Sequence, residues 1–392
     1  MKKIVAAFAA FCMLAQAIPV AAAVEPPSVE ALGAILMDFD TGRVLWEKNA
    51  REPLAMASTT KIMTCIVALE NAVLSDTVTI SKRAAAAPDV QMNLQAGETI
   101  PLEHLLYAMM LQSSNDAAVA VAEHVGGSVE NFCRMMTEKA LALGAADTVF
   151  ETPNGLDAGE HHSTAYDLAV IARYALQNET FLKIIQTPAY TAVSSRTVYG
   201  VTNKNRLLRE LSGAQGIKTG FTGKAGHCFV GAAERDGLRL ISVVLGSGWG
   251  AHGKEQKWVD TKHLLQYGFA AYKQAEVLAA DADAGVLPIK RARQDSVPLY
   301  FAESVTIPMT EAERESVDIR VNRPDMRRAP VAEGEVVGTA DIIINGAVYK
   351  TVAIRAAEGA ERHDLKTSLE KVLSTYLGLG AVEEVDIVLP EF

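Results

Sequence analysis

The hydrophobic period of this chain begins at two residues, lengthens to that of a helix and then shortens again, an order that few architectures satisfy. Residues 31–47 alternate and break at Phe39-Asp40-Thr41-Gly42, which reads as an opening β-hairpin. Residues 57–73 set Ile62, Cys65, Ile66 and Leu69 on one helical face, and further helices read over 102–111, 117–125, 129–143 and 164–176. Strands return at 214–222, 227–234 and 238–245, the last two joined by the turn Arg235-Asp236-Gly237, and a helix over 258–272 follows. Strands, then helices, then antiparallel strands imply an α+β layer whose two ends share one sheet.

After the Ala- and Asp-rich stretch 279–285 only short strands remain, at 286–289, 297–301, 305–307, 317–321, 336–344 and 348–354, with Asn345-Gly346 marking a hairpin. The expected organisation is a first domain over 24–278, a small all-β domain over 285–360, and a C-terminal helix with an acidic tail over 361–392. The β-domain carries no clustered nucleophile or metal-ligand pattern, so its expected role is structural or positional.

The ends bear on location. Met1-Lys2-Lys3 is positive, residues 4–20 are apolar, and Ala21-Ala22-Ala23 supplies the small residues of a cleavage site, so residues 1–23 read as a secretory signal and the protein as exported. Cys12 falls inside that segment. Cys65, Cys133 and Cys228 remain, two of them on helices, and three thiols cannot all pair, so no disulfide framework is expected. The formal net charge is −10. Loss of Lys2 and Lys3 makes the surface more acidic still, and without a dense basic cluster nucleic acid is excluded as a partner.

A serine hydroxyl attacks poorly at neutral pH unless a base lies within hydrogen-bond reach and donors face the developing oxyanion. Ser58-Thr59-Thr60-Lys61 offers the first requirement, because one helical turn sets Ser58 and Lys61 on the same face and a desolvated lysine near other cations gives up its proton. That spacing alone is weak, since Ser368-Leu369-Glu370-Lys371 repeats it on what reads as a surface helix. Company and order strengthen it. Ser113-Ser114-Asn115 follows in an interhelical loop, and Lys218-Thr219-Gly220 follows on a strand, which together are the trio of penicillin-recognising serine enzymes.

With these motifs the chain resembles the low-molecular-mass penicillin-binding D-Ala-D-Ala carboxypeptidases, peptidase family S11, over nearly its whole mature length. The stretches 203–208, 216–222 and 233–241 are similar to that family around its third motif, as are Ala225-Gly226, and Thr152-Pro153-Asn154-Gly155-Leu156 resembles its N-P-x-G-L segment. The resemblance implies a catalytic domain of the β-lactamase/transpeptidase-like type, an antiparallel sheet flanked by helices. It also implies removal of the terminal D-alanine from peptidoglycan stem peptides through an acyl-enzyme on Ser58, with β-lactam antibiotics as covalent inhibitors. Lys61 would be the general base, Ser113 the proton relay to the leaving amine, and Asn115 a hydrogen-bond partner of the substrate backbone. Lys218 and Thr219 would attract the terminal carboxylate. Gly220 would admit the substrate strand, and the backbone N–H groups of Ser58 and Phe221 would form the oxyanion hole. Position 221 is Phe where some members carry a polar residue, which leaves the deacylation rate open.

His161-His162 and His227 lack the companions of a metal site, so neither metal nor cofactor is expected. A serine β-lactamase needs an efficient water activator, and Glu151-Thr152-Pro153-Asn154 departs from the E-x-x-L-N arrangement. A non-catalytic peptidoglycan-binding module is the other alternative, opposed by the intact Ser58, Lys61, Ser113 and Lys218. Residues 364–376 set Leu365, Leu369, Val372, Leu373 and Tyr376 on one helical face. By resemblance that face would hold the enzyme at the outer side of the cytoplasmic membrane, in the periplasm, although the acidic tail after it opposes anionic lipid and a helix packed on the β-domain is an equal reading.

Overall fold

The computed structural model describes residues 24–88 and 90–362, together with Leu369, Val372, Leu373 and Tyr376. The expected leader and most of the expected 364–376 helix lie outside the described residues.

Strands β1 (Gly33–Asp38) and β2 (Val44–Lys48) form the opening hairpin. A 3-10 turn, Ala57–Thr60, runs into α1 (Lys61–Asn71). Next come β3 (Thr77–Thr79), α2 (Lys82–Ala85) and β4 (Thr99–Pro101), with β3 paired to β4. The helical layer comprises α3 (Leu102–Leu111), α4 (Asn115–Gly126), α5 (Val129–Ala142), α6 (Ala165–Ala175) and α7 (Glu179–Gln186). The side chains of Ser128, Thr164 and Asn178 cap α5, α6 and α7 by accepting from the backbone N–H three residues on. A hairpin of β5 (Ala189–Val193) and β6 (Val198–Thr202) and the short α8 (Leu207–Glu210) lead to β7 (Ala214–Thr222), β8 (Gly226–Arg235), β9 (Leu238–Leu245) and α9 (Gly250–Ala271).

Five strands make one antiparallel sheet in the order β2-β1-β9-β8-β7, so the two ends of the first domain share a sheet as the sequence implies. Both faces are covered. Ile35, Met37, Ile241 and Val243 pack into the helical layer, whereas Ala34, Leu36, Leu240 and Val244 pack against Trp258, Leu264, Leu265 and Phe269 of α9. Double coverage explains why β1 and β9 read as nearly unbroken apolar runs. Strand β7 is left at the edge, and the cleft opens beside it.

The second unit contains β10 (Lys273–Leu278), β11 (Asp283–Lys290), β12 (Ser296–Phe301), β13 (Val305–Met309), α10 (Glu311–Glu315), β14 (Asp318–Asn322), β15 (Arg327–Arg328), β16 (Val336–Ile344) and β17 (Ala347–Ala356). Its six-stranded sheet runs β14-β16-β17-β12-β11-β15, beside the pair β10-β13. Leu287, Val297, Leu299, Ile342 and Ile354 form a separate core. Both residues of the Asn345-Gly346 turn have positive φ, +50° and +78°, as a two-residue hairpin demands.

Two boundaries differ from the sequence reading. Strand β10 pairs with β13 and buries Ala275 and Leu278 in the second core, so residues 279–285 include a turn inside the β-domain rather than the passage into it. Helix α9 begins at Gly250, eight residues before the apolar period that marks it in sequence. Gly253 packs there against the Gly248 backbone, where an added Cβ would meet the carbonyl carbon at 2.2 Å, and the Trp249 indole N–H donates to the Gly223 carbonyl at 2.9 Å. The early start therefore pins α9 to the β7–β8 turn and carries Lys254 and Lys257 to the cleft.

Candidate active site

Ser58 sits in the 3-10 turn ahead of α1, and Ala57 before it takes a left-handed φ of +49°. That turn is clasped from two sides. Gly155, at φ +84°, lies so close that a Cβ would stand 2.0 Å from the Ala57 carbonyl oxygen, and a Cβ on Gly220 would stand 3.1 Å from the Ser58 amide nitrogen. Glycine is thus required at 155, and Gly220 brings the β7 edge against the turn that carries Ser58.

Lys61 is fully buried, and its Nζ donates to Ser58 Oγ at 2.8 Å, to Asn115 Oδ1 at 2.8 Å and to the Asn154 carbonyl at 2.5 Å. Ser58 Oγ also donates to the Asn154 carbonyl, at 3.2 Å. Burial drives the Lys61 ammonium well below the ordinary lysine range, and the charge of Lys218 pushes it further. The arrangement suits a lysine that takes a proton from Ser58.

Asn115 opens α4 with its amide engaged at both ends, since Nδ2 donates to the Pro88 carbonyl at 2.8 Å. Next to it Asp116, fully buried, accepts from the backbone of Met92 and Leu94 and ties residues 90–94, of which Val90 lines the cleft, to the start of α4. Ser113, at φ +74°, lines the same cavity as Ser58 without a hydrogen bond to Ser58 or Lys61. Lys218 on β7 is 2 % exposed, faces no carboxylate within ion-pair distance among the described residues, and donates to the Thr219 carbonyl at 3.0 Å. Burial, then the charge of Lys204, lowers it to about 7. Thr219, Gly220 and Phe221 continue along β7, and the half-exposed Phe221 ring stacks on His227 at 4.3 Å between centroids.

The cavity has a volume of about 720 Å³ and unites Ser58, Ser113, Asn115, Thr219, Gly220 and Phe221. Its carboxylate is Asp157, which accepts from Thr222 Oγ1 at 3.0 Å. Glu151 points elsewhere, accepting from the Glu160 backbone at 3.2 Å. His161 bridges Thr60 Oγ1 at 2.9 Å and the Glu151 N–H at 3.1 Å, and burial lowers it to about 4, so it is a neutral strut behind the Ser58 turn. His162 contacts the Glu160 carbonyl, and Cys65, Cys133 and Cys228 are free and buried. The Asn154 carbonyl, Asp157, Lys204, Lys254 and Lys257 were given no role in the sequence reading; the resemblance over 152–156 was a signal for the first and that over 203–208 for Lys204.

The model of the D-alanyl-D-alanine carboxypeptidase family, peptidase S11, matches residues 20–248, and that of the penicillin-binding protein 5 C-terminal domain matches residues 272–362. The chain is 32% identical over 355 residues to D-alanyl-D-alanine carboxypeptidase DacF of Bacillus subtilis (strain 168), covering 88% of this chain and 90% of that one. It is 34% identical over 349 residues to D-alanyl-D-alanine carboxypeptidase DacC of Escherichia coli (strain K12), covering 82% of each. The crystal structure of penicillin binding protein 5 from Haemophilus influenzae superposes with a TM-score of 0.73 at 28% identity, covering 86% of this chain and 100% of that one. Among the described residues no helix is long and apolar enough to cross a membrane. The chain belongs to peptidase family S11 and is a serine D-alanyl-D-alanine carboxypeptidase with a penicillin-binding protein 5 type of C-terminal domain.

Proposed function

We propose that this carboxypeptidase is exported and removes the terminal D-alanine of peptidoglycan stem pentapeptides through an ester on Ser58. The observation that carries the reading is the fully buried Lys61 Nζ, 2.8 Å from Ser58 Oγ and depressed below its ordinary range. Lys61 takes the Ser58 proton as Oγ attacks the carbonyl carbon between the two D-alanines. The backbone N–H groups of Ser58 and Phe221 hold the oxyanion. Asn115 and the Asn154 carbonyl keep Lys61 aimed, and Ser113, rotating in the cavity, passes a proton to the leaving amine. Free D-alanine departs; water then attacks the ester, and Ser58 regains its proton as the shortened stem leaves with a new carboxylate.

Thr219 and the charged Lys218 hold the terminal carboxylate, which gives an exopeptidase its preference for chain ends. The same attack opens a β-lactam ring and leaves a covalent adduct. The positive, apolar, small-residue order of residues 1–23 supports export to the periplasm or the outer face of the cytoplasmic membrane. Peripheral attachment is supported by Leu369, Val372, Leu373 and Tyr376, all helical and exposed.

Intact-protein mass spectrometry after exposure to a penicillin tests the covalent step. The expected result is one added penicillin, located by digestion on the peptide containing Ser58. Adduct on any other residue, or none, contradicts it.

A further inference from the structure

The β11–β15 edge of the second domain gathers basic side chains from three separate stretches of chain. Lys290 and Arg328 are direct neighbours in the parallel β11–β15 ladder, where the Ala329 N–H donates to the Lys290 carbonyl at 2.9 Å. Arg291 follows at a left-handed φ of +62°, and Ala292 bridges Arg362. All four cations are exposed, and none has a carboxylate within ion-pair distance among the described residues. Arg327, by contrast, is matched by Glu335 at 2.7 Å. Asp325 and Glu361 are exposed acids close by in sequence, and two do not cancel four. The cluster stays positive on a chain whose formal net charge is −10.

Alternation along β11 sets the chemistry of the adjoining face. Leu287 and Ile289 turn into the core, so Val286, Pro288 and Lys290 turn outward, and Pro298 stands opposite Val286 on β12. Val286 is 54 % exposed, and both prolines are open to solvent. Apolar side chains rimmed by unpaired cations suit a surface that settles among anionic headgroups. The chain also leaves the domain at this edge, through Arg362. The exposed, helical Leu369 follows seven residues later, within ~25 Å even for a fully extended chain. The apolar helix residues and the basic edge are therefore within reach of one surface.

We propose that the β11–β15 edge is a docking face for a bilayer containing anionic lipid. Lys290, Arg291, Arg328 and Arg362 meet headgroup phosphates while Leu369, Val372, Leu373 and Tyr376 enter the apolar boundary. The folded domain thus supplies an attraction that the C-terminal segment lacks, since Lys366 and Lys371 there are offset by Asp364, Glu370 and the acidic tail. This inference rests on the peripheral attachment reading and adds the charge of the partner to it.

The test measures partitioning of the full chain onto vesicles of phosphatidylcholine alone and of phosphatidylcholine mixed equally with phosphatidylglycerol. The wild-type protein prefers the anionic vesicles, and the preference declines as salt is raised. Each basic residue at an anionic surface is worth ~5-fold, so in the triple variant Lys290→Gln, Arg291→Gln, Arg328→Gln the preference falls by ~100-fold. Binding to neutral vesicles and D-alanine release are unchanged in that variant. The charge-matched variant Arg83→Gln, Arg134→Gln, Lys183→Gln, altered on the exposed helical layer of the first domain, keeps the preference. No wild-type preference, a preference that survives the triple variant, or one lost equally in both variants overturns the docking face. Binding of soluble polyphosphate that the triple variant abolishes, with no counterpart on vesicles, gives the face to a wall polymer and overturns it too. Binding to neutral vesicles that is lost on deleting residues 364–392, with no anionic preference, leaves peripheral attachment standing and removes the face alone. No binding to either vesicle removes both.

Discussion

Lys61 Nζ lies 2.8 Å from Ser58 Oγ, with its whole side chain sealed from water. Its two other acceptors, Asn115 Oδ1 and the Asn154 carbonyl, are neutral, so geometry fixes the amine without an adjacent counter-ion. Asp116, also buried, raises the Lys61 pKa, but burial and Lys218 outweigh it. A lysine so placed has the proximity and the lowered pKa that the proposed role of base to Ser58 requires.

The pH profile of kcat/KM follows from two lysines with opposite requirements. If Lys61 is the base and Lys218 holds the substrate carboxylate, activity is expected to rise with pH as Lys61 loses its proton and to fall above about 7 as Lys218 loses its charge. Lys218→Arg, which stays charged, shifts the falling limb upward by more than ~1 pH unit. A limb that stays in place assigns the group elsewhere.

Lys218 also trades stability for charge. Its folded value of about 7 is below the ordinary 10.5, so between those values the unfolded chain binds the extra proton and folding stability rises with pH. Below about 7 the penalty of burying the charge is present in full. Lys218→Met therefore stabilises the protein by ~1–3 kcal/mol at pH 6, a gain that shrinks toward pH 10, while substrate affinity is lost. Urea denaturation at pH 6 and pH 9 measures both the sign and its decay.

Gly155 and Gly220 separate fold from chemistry. At Gly155 an added Cβ meets backbone at 2.0 Å from a positive φ, so Gly155→Ala costs ~2–4 kcal/mol and displaces the Asn154 carbonyl from Lys61. At Gly220 the contacts are 3.0 to 3.1 Å, so Gly220→Ala costs ~1 kcal/mol but slows acylation by ~10–100-fold through the Ser58 amide. Penicillin acylation rates and denaturation midpoints, measured together, distinguish the two; equal effects on both would count against this division.

The two domains are joined by Arg43 of the β1–β2 turn, which donates to Glu313 and, at 2.5 Å, to the Pro308 carbonyl. Glu313 is already the N3 residue of the capping box that starts α10. Arg43→Ala strands a part-buried carboxylate, so we expect ~1–3 kcal/mol of destabilisation and separation of one calorimetric transition into two. A single unshifted transition would contradict a structural role for the pair.

The architecture was readable because periodicity and turn residues agreed: Asp236-Gly237 and Asn345-Gly346 take the positive φ values their hairpins need. The α7 helix and the β5–β6 hairpin escaped because they are short. The front of α9 escaped because Gly250-Ala251-His252-Gly253 carries no apolar period and is held by backbone contacts with Gly248. At the site, residue type and order marked Ser58, Lys61, Asn115 and Lys218. No side-chain pattern marks a main-chain acceptor such as the Asn154 carbonyl, which depends on Gly155 fitting against Ala57.

Membrane attachment has a direct test. Deleting residues 364–392 is expected to move the protein from the membrane fraction to the soluble one with its peptide turnover intact. Unchanged membrane recovery would place the anchor elsewhere.

The decisive measurement is D-alanine release from a peptide ending in Lys-D-Ala-D-Ala, with fluorescent penicillin labelling followed in parallel, for the mature protein and Ser58→Ala. Release and labelling that both vanish in the variant are predicted. Release that survives the loss of Ser58, or rapid penicillin turnover without D-alanine, would contradict an acyl-enzyme carboxypeptidase built on Ser58 and Lys61.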